Sequence, residues 1–345
     1  MKAGTLTLLV IEISLGIFLT HCARVNTLNL QTHTFAEPPA KIIWIQVAGL
    51  SDEHLPLLKF STPTPDVPIS FERSVCTGKM WSYNLYALRP SANENFLSQI
   101  NGSKNQKNTC SDFDYPPFWK NLGKSSAMAG VLENGIEEGR GLDAAFNCPS
   151  EKNFYSDLTV VWKMARTKNP SAVFFNGPSN VPLTAGVYFD KACQQESCHS
   201  SLYENVKLTF ETYIKRPFAN VYMVRDFEYA QLIQKGEILK AREHLLEIDK
   251  LYNYFLDFQK GNANILVLLT TTAARSLEFP EQGNQWADFD KKGKNVVFRQ
   301  QSLMSSAFAS GAMAENFCGL YEESEMRNRI LFVPPPVNFF DVFGQ

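Results

Sequence analysis

The sequence predicts an α/β fold with a mostly parallel central sheet sandwiched by helices, in the doubly wound arrangement. Two observations support this prediction. Several short runs are almost continuously apolar, which is typical of strands buried on both faces of a parallel sheet. A long amphipathic segment leads into one of these runs, as in the helix-to-strand crossover that parallel strands require. With 345 residues, 44% of them apolar, the chain can build a large core.

The apolar runs give the order of the predicted elements. Lys41–Leu50 ends in Gly-Leu and is expected to form the first core strand. Ser171–Phe175 and Ala219–Val224 are predicted to be further core strands, and polar residues follow each of them. The segment Ile238–Phe255 is predicted to be a helix, and Ile265–Leu269 the strand after it. Apolar residues of that helix recur at steps of three and four: Ile238, Ala241, Leu245, Ile248, Tyr252 and Phe255.

The amino terminus has the pattern of an export signal. In residues 1–22, one lysine precedes an apolar stretch that is too short to cross a bilayer comfortably. The stretch ends in Leu19-Thr20-His21-Cys22, which resembles a bacterial lipoprotein box, so Cys22 is the expected site of lipidation. The polar residues 23–40 are expected to form a tether, and residues 41–345 the folded domain. These features predict export to the bacterial periplasm or cell surface, anchored to the membrane through Cys22; a buried amino-terminal helix is the alternative.

Cysteine usage agrees with an oxidising compartment. Six cysteines remain after Cys22, which is enough for three disulfides. Cys193 and Cys198 are close enough in sequence to close a small loop, and they are the first predicted pair. The spacing leaves the other pairings open, and Cys318 is equally compatible with a free core cysteine.

The charge balance excludes one class of partner. The chain has 33 basic and 35 acidic residues and a net charge of -2. No sequence-wide positive field exists to drive binding to nucleic acid or to an anionic membrane surface, so a polyanion is not an expected partner. The expected partners are instead the membrane, through the lipid anchor, and an envelope protein.

The predicted helix 236–258 and the following NILVLLTTTAARS resemble the alkaline phosphatase superfamily, in which the strand ends in Thr-Ala-Asp-His. The resemblance implies that Thr272 and Ala273 occupy positions where Asp and His would bind a metal. A one-residue shift places Ala273 and Ala274 there instead, so both ligands are missing in either alignment. The first strand is similar to those that end in Asp-Gly, and here Ala48 stands in place of the Asp.

A third motif of the superfamily places His four residues after Asp. Asp226 retains the first position, whereas Ala230 stands at the second. Because an alanine methyl has no lone pair, neither Ala48 nor Ala230 can bind a metal. The resemblance therefore implies the fold and, at the same time, a degenerate metal site.

The nucleophile of this superfamily is usually a Ser, Thr or modified Cys at the start of a helix. The segment RSVCTGKMWSYN offers Cys76 and Thr77, and Thr77 is the better candidate nucleophile; a helix cap is the alternative role for Thr77. Asp52 and His54 follow the first predicted strand, and with Asp226 they could form a rebuilt metal site. The alternative for His54 is an ordinary surface residue.

Two functional hypotheses follow. The first is an exported, non-catalytic lipoprotein that uses the superfamily scaffold as a binding or interaction module, with no cofactor. The second is a hydrolase or transferase of phosphate or sulfate esters that depends on a divalent metal, namely zinc, manganese or calcium, at the rebuilt site. A third, structural possibility is an envelope protein held in an assembly through the aromatic carboxyl terminus.

Overall fold

The computed structural model describes residues 39–60, 67–122, 128–149, 153–175, 180–194, 201–262, 264–280, 282–293 and 297–331. The predictions for the signal peptide, for Cys22, for most of the tether, for Cys198 and for the aromatic carboxyl terminus lie outside these residues. Within them, no helix is long and apolar enough to cross a bilayer.

The core of the fold is one sheet of ten strands, and two further strands form a separate ribbon. The strands are β1 (Lys41–Ala48), β2 (Cys76–Trp81), β3 (Met128–Asn134), β4 (Thr159–Met164), β5 (Val173–Phe175), β6 (Gly186–Asp190), β7 (Ala219–Asp226), β8 (Ile265–Thr272), β9 (Arg275–Glu278), β10 (Val297–Gln301), β11 (Met304–Gly311) and β12 (Gly319–Glu322). The order in the large sheet is β12-β2-β11-β8-β1-β7-β3-β4-β6-β5. The ribbon pairs β9 with β10.

Helices cover both faces of this sheet. They are α1 (Leu55–Lys59), α2 (Ala92–Asn101), α3 (Leu202–Tyr213), α4 (Glu228–Gln234), α5 (Ile238–Lys260), α6 (Gly283–Lys292) and α7 (Met326–Leu331). Short 3-10 turns lie between them.

The sheet is mostly parallel, as predicted. Every pair from β8 through β1, β7, β3, β4 and β6 to β5 is parallel. Only β11 runs against its two neighbours, β8 and β2. The strands β1, β3, β4, β7 and β8 therefore end at the same side of the sheet, which is called the carboxyl edge below. In open α/β sheets this edge is where sites are built.

Strand β1 lies at the centre of the sheet between β7 and β8. Its side chains alternate between two cores, as the pleat requires. Ile43, Ile45 and Val47 belong to the core on the side of α3 and α5. Ile42 and Trp44 belong to the core on the other face. Because both faces are covered, the near-continuous apolar run of the sequence is explained.

The amphipathic helix is also confirmed. It extends as α5 from Ile238 to Lys260, and all six of its predicted apolar positions are buried. β7 and β8 occupy the predicted segments as well. The prediction for Ser171–Phe175 as a core strand is wrong in position: β5 is the last strand of the sheet, with Val173 54% and Phe174 41% exposed. An apolar run indicates a strand but does not tell a central strand from an edge strand.

Disulfides tie distant parts of the chain together. Cys76 pairs with Cys318, and Cys110 pairs with Cys148. Cys318 is therefore not the free core cysteine that its sequence context allowed. Cys193 is also disulfide-bonded, but its predicted partner lies outside the described residues, so that pairing stays a prediction.

Candidate functional site

The end of β1 lies in an apolar environment. Ala48 is buried in a cluster with Phe96 of α2, with Ile136 and with Phe227, which is called the apolar cluster below. Ala230 of α4 packs against the same cluster. Two of the four positions at which the resemblance implies a lost metal ligand, Ala48 and Ala230, therefore face hydrocarbon.

The turn after β1 closes the space above Ala48. Gly49 has a left-handed backbone, with φ of 81°, and a Cβ at this position would lie 2.8 Å from the Ala230 Cα. Only glycine allows this approach of turn and helix. The Gly49 N–H donates to the Thr272 carbonyl (2.8 Å), and the Gly49 carbonyl accepts from the Arg275 N–H (3.2 Å). The chain segments after β1 and β8 thus remain paired beyond the sheet.

At the end of β8, the structure gives no ligand in place of the missing Asp and His. The Thr272 side chain is fully buried, and its hydroxyl has no hydrogen-bond partner among the described residues. Ala273 follows with a left-handed backbone, with φ of 48°, which is uncommon for a residue other than glycine. These positions shape the turn and offer no set of metal-binding atoms.

Asp226, the retained carboxylate at the end of β7, is fully buried and already paired. Its Oδ1 lies 2.8 Å from Nε2 of His244 and accepts a hydrogen bond from the Asn134 amide at 2.7 Å. Its Oδ2 accepts from the Tyr229 N–H at 3.2 Å. Burial by itself would lower the pKa of His244, but the adjacent Asp226 carboxylate outweighs it and raises that pKa to about 9. At neutral pH, an imidazolium therefore compensates the charge of Asp226.

Next to Asp226 lies a group of four charged side chains, Glu133, Asp143, Lys163 and Arg225, called the buried ion network below. All four are at most 3% exposed. The Lys163 Nζ lies 2.7 Å from an Asp143 oxygen and 3.4 Å from a Glu133 oxygen, and Arg225 forms an ion pair with Glu133. Two cations and two anions compensate each other, which is the condition under which buried charges are tolerated.

Arg225 connects the buried ion network to the apolar cluster. Its guanidinium carbon lies 5.3 Å from the ring centres of both Phe96 and Phe227. A second guanidinium nitrogen donates to the Asn93 side-chain oxygen at 2.7 Å. Cation–π contact and hydrogen bonding thus hold the start of α2 against the sheet.

Thr77, the candidate nucleophile, does not begin a helix. It lies inside β2, opposite Phe308 of β11, and it is exposed. It therefore has neither the helix dipole expected for a nucleophile nor the alternative role of a helix cap. Its neighbour Cys76 is used in the disulfide with Cys318. The helix that follows β2 is α2, and its cap is Ser91, whose hydroxyl accepts from the Glu94 N–H at 3.3 Å.

Asp52 and His54 lie in different environments. Asp52 is exposed and forms an ion pair with Lys79. His54 is fully buried, which contradicts the surface alternative. Its Nε2 lies 2.6 Å from the Arg275 carbonyl oxygen, so it carries the proton, and Nδ1 accepts from the Tyr229 hydroxyl at 2.9 Å. Burial lowers the pKa of His54 to about 4, so the ring is neutral.

These residues do not fit the metal centre that the superfamily implies. Asp226 is held by His244, Asp52 by Lys79, and both nitrogens of His54 are engaged. Among the described residues, which include all of these positions, no three His, Cys, Asp or Glu side chains are grouped so as to hold a metal ion. A rebuilt metal site would require each of these side chains to leave its partner.

The buried ion network was not predicted from the sequence. A signal for it exists, because Glu133, Lys163 and Arg225 are charged residues inside apolar strand segments. Charged side chains are rarely fully buried unless they are paired. Three such residues inside apolar segments indicate a buried cluster, although they do not indicate which charges pair.

Known proteins resemble this chain in structure rather than in sequence. No family model and no curated protein sequence matches it. The alkaline phosphatase of the Antarctic bacterium TAB5 superposes with a TM-score of 0.62 at 12% identity, over 86% of this chain and 98% of that one. The Thermus thermophilus alkaline phosphatase gives 0.61 at 12% identity, over 91% and 96%. The cold-active alkaline phosphatase of the psychrophile Shewanella sp. gives 0.61 at 9% identity, over 86% and 100%.

At such low identity the likeness establishes the architecture and leaves activity open. The mostly parallel sheet and the coverage of almost the whole of each of these structures agree with the predicted resemblance. The chain therefore has the alkaline-phosphatase-like α/β fold.

Proposed function

We propose that this chain is an exported, non-catalytic protein that uses the alkaline-phosphatase-like fold as a binding module. One observation carries the proposal: the carboxyl edge is filled by the protein itself. Ala48 and Ala230 lie at the apolar cluster, and Gly49 packs against Ala230. A substrate phosphate and its metal ions would need this space.

The charges at the carboxyl edge support the same conclusion. The Asp226 carboxylate is compensated by His244, and Glu133 by Arg225 and Lys163. In a metal-dependent hydrolase such carboxylates would remain available to cations. Here they stabilise the fold instead.

Export is supported by the disulfides. Cys76–Cys318 and Cys110–Cys148 are typical of an oxidising compartment, and the amino-terminal sequence agrees with a signal peptide and a lipidated Cys22. We propose the bacterial periplasm or cell surface as the location, and an envelope protein or the membrane itself as the partner.

The experiment is to measure bound metal by elemental analysis after incubation with zinc, manganese or calcium, together with hydrolysis of generic phosphate and sulfate esters. We expect substoichiometric metal and no turnover above the uncatalysed rate. Stoichiometric metal with turnover that Thr77→Ala abolishes would favour the hydrolase hypothesis and overturn the proposal.

A variant with restored ligand residues tests whether the carboxyl edge has room for a metal ion. If the edge lacked only the ligand atoms, restoring them would restore metal binding. Ala48→Asp combined with Ala230→His restores two ligand types, but it also buries a carboxylate beside Phe96 and Phe227. We expect this variant to lose roughly 3 kcal/mol or more of unfolding free energy and to bind no metal. Ala92→Asp is the control, because position 92 lies at the partly buried rim of the apolar cluster, in the first turn of α2, where an acidic side chain is favourable.

A further inference from the structure

Large apolar side chains are exposed together near the carboxyl end of β2. Leu88 is 70% exposed, Leu85 67% and Tyr86 56%, and Trp81 and Leu303 are each 39% exposed. These five residues are called the loop surface below. Single exposed apolar residues are ordinary, whereas a group of five is typical of an interaction site.

The loop that carries Leu85 and Tyr86 has a defined backbone. The side-chain oxygen of Asn84 accepts from the N–H groups of Tyr86 and Ala87, both at 2.8 Å. The Leu85 N–H donates to the Lys104 carbonyl at 3.1 Å. The exposure of these side chains is therefore set by a hydrogen-bonded turn.

The remaining members come from adjoining segments. The Ser82 N–H donates to the Leu303 carbonyl at 2.9 Å, which holds the backbone at Leu303 against the end of β2. Arg89 Nε donates to the Gln301 carbonyl at 2.7 Å, which holds the end of the loop against the same segment. The loop surface is thus built from two stretches of chain that are bonded to each other.

Cations flank the loop surface. The Lys107 ammonium lies 4.9 Å from the centre of the Tyr86 ring, and Arg89 directly follows Leu88. In the described part of the chain neither of these cations forms an ion pair, whereas the nearby Lys104 is paired with Glu322. The chain as a whole has a net charge of -2, whereas the charged side chains next to Leu88 and Tyr86 are both cations.

We infer that the loop surface docks on an anionic lipid bilayer. Exposed Leu side chains can enter the acyl boundary, Trp and Tyr are enriched at the headgroup level, and Arg and Lys attract anionic lipids. We favour a bilayer over a protein partner because leucine, aromatic and cationic side chains are combined in one loop, as in segments that lie at a membrane interface. The inference names the partner of the proposed binding module but does not depend on the absence of catalysis.

The test is co-sedimentation of the chain from residue 23 onward, which contains every described strand and helix and lacks both Cys22 and the apolar leader. Vesicles of phosphatidylcholine alone are compared with vesicles of phosphatidylcholine mixed with phosphatidylglycerol. We expect binding to the anionic vesicles, with a blue shift of tryptophan emission that Trp81→Phe reduces. Leu85→Ser with Leu88→Ser should weaken binding at least about tenfold.

A charge variant separates the electrostatic contribution to vesicle binding from the apolar contribution. Lys107→Gln, which leaves the Arg89 bond to the Gln301 carbonyl in place, should weaken binding to anionic vesicles about fivefold and should reduce its salt dependence. Val173→Ser, which changes an exposed apolar residue at the opposite end of the sheet, should bind like the unmodified chain.

The inference would be overturned if the chain bound neither kind of vesicle. It would also be overturned if the leucine variant bound anionic vesicles as tightly as the unmodified chain. Concentration-dependent self-association that the leucine variant abolishes, without vesicle binding, would assign the surface to a second copy and overturn it as well. Ester turnover is measured separately, so failure here and failure of the proposed function are distinguishable.

Discussion

The carboxyl edge and the loop surface differ in the burial of their charged and apolar side chains. At the ends of β1, β3 and β7 the charges are buried and compensated, and small or aromatic side chains fill the space between them. At the end of β2 large apolar side chains are exposed, and cations beside them have no carboxylate partner among the described residues. The first arrangement closes a surface, and the second leaves one available.

This difference indicates where binding is expected. A buried ion pair is costly to form, and it is tolerated only when each charge is matched. The buried ion network meets that condition without any external ligand. The apolar side chains of the loop surface are exposed to water, and the cations beside them form no ion pair among the described residues. A partner that covers these side chains would therefore stabilise the loop surface.

The largest effect is expected from breaking the buried ion network. Glu133→Gln removes the anion that faces both Arg225 and Lys163. Lys163 keeps Asp143, but Arg225 loses its carboxylate. We expect a loss of about 3–5 kcal/mol in the free energy of unfolding, measured by urea denaturation.

Glu137→Gln is the matched control for this variant. Glu137 pairs with Arg140 at 3.2 Å, but both side chains are largely exposed. The expected loss is below about 0.5 kcal/mol. Equal losses in the two variants would contradict the contrast between buried and exposed charge.

A smaller effect, with a pH signature, is expected at His244. The raised pKa of about 9, against an ordinary value of 6.5, means that the folded state holds this proton more tightly. The contribution to stability is fully present below pH 6.5 and is lost as the pH rises through about 9. His244→Gln should cost roughly 2 kcal/mol at pH 6.5 and flatten the decline between these values.

Urea denaturation across this pH range gives the measurement. His54→Gln serves as the comparison, because burial lowers the pKa of His54 to about 4 and its influence falls on the acid side of pH 6.5. An unchanged alkaline decline in the His244 variant would show that another group is responsible.

The smallest effect on stability is expected at the loop surface. Leu85→Ser should change the free energy of unfolding by less than about 0.5 kcal/mol, since the side chain is largely exposed. Thermal or urea denaturation provides the value. A loss above about 1 kcal/mol would mean that Leu85 is packed in the fold and would remove the contrast with the carboxyl edge.

Much of the architecture could be predicted from local patterns. The apolar run of β1, the three-and-four spacing of α5 and the run of β8 each determine an element, because side-chain direction follows the backbone period. The implied ligand positions Ala48 and Ala230 were found by resemblance and lie close together at the apolar cluster. The roles of Thr77 and His54 could not be predicted, because a strand interior and a buried hydrogen-bonded ring depend on neighbours far away in sequence.

The sequence by itself determined the α/β class, the elements β1, β7, α5 and β8, and the absence of ligand atoms at Ala48 and Ala230. Only the tertiary structure decided that Asp226 is compensated by His244, that Glu133 lies between Arg225 and Lys163, and that Leu85 and Leu88 stay exposed. Hydrophobic periodicity is a local property, because it depends only on residues that are close in sequence. Charge compensation and exposure depend on which distant segments the fold brings together.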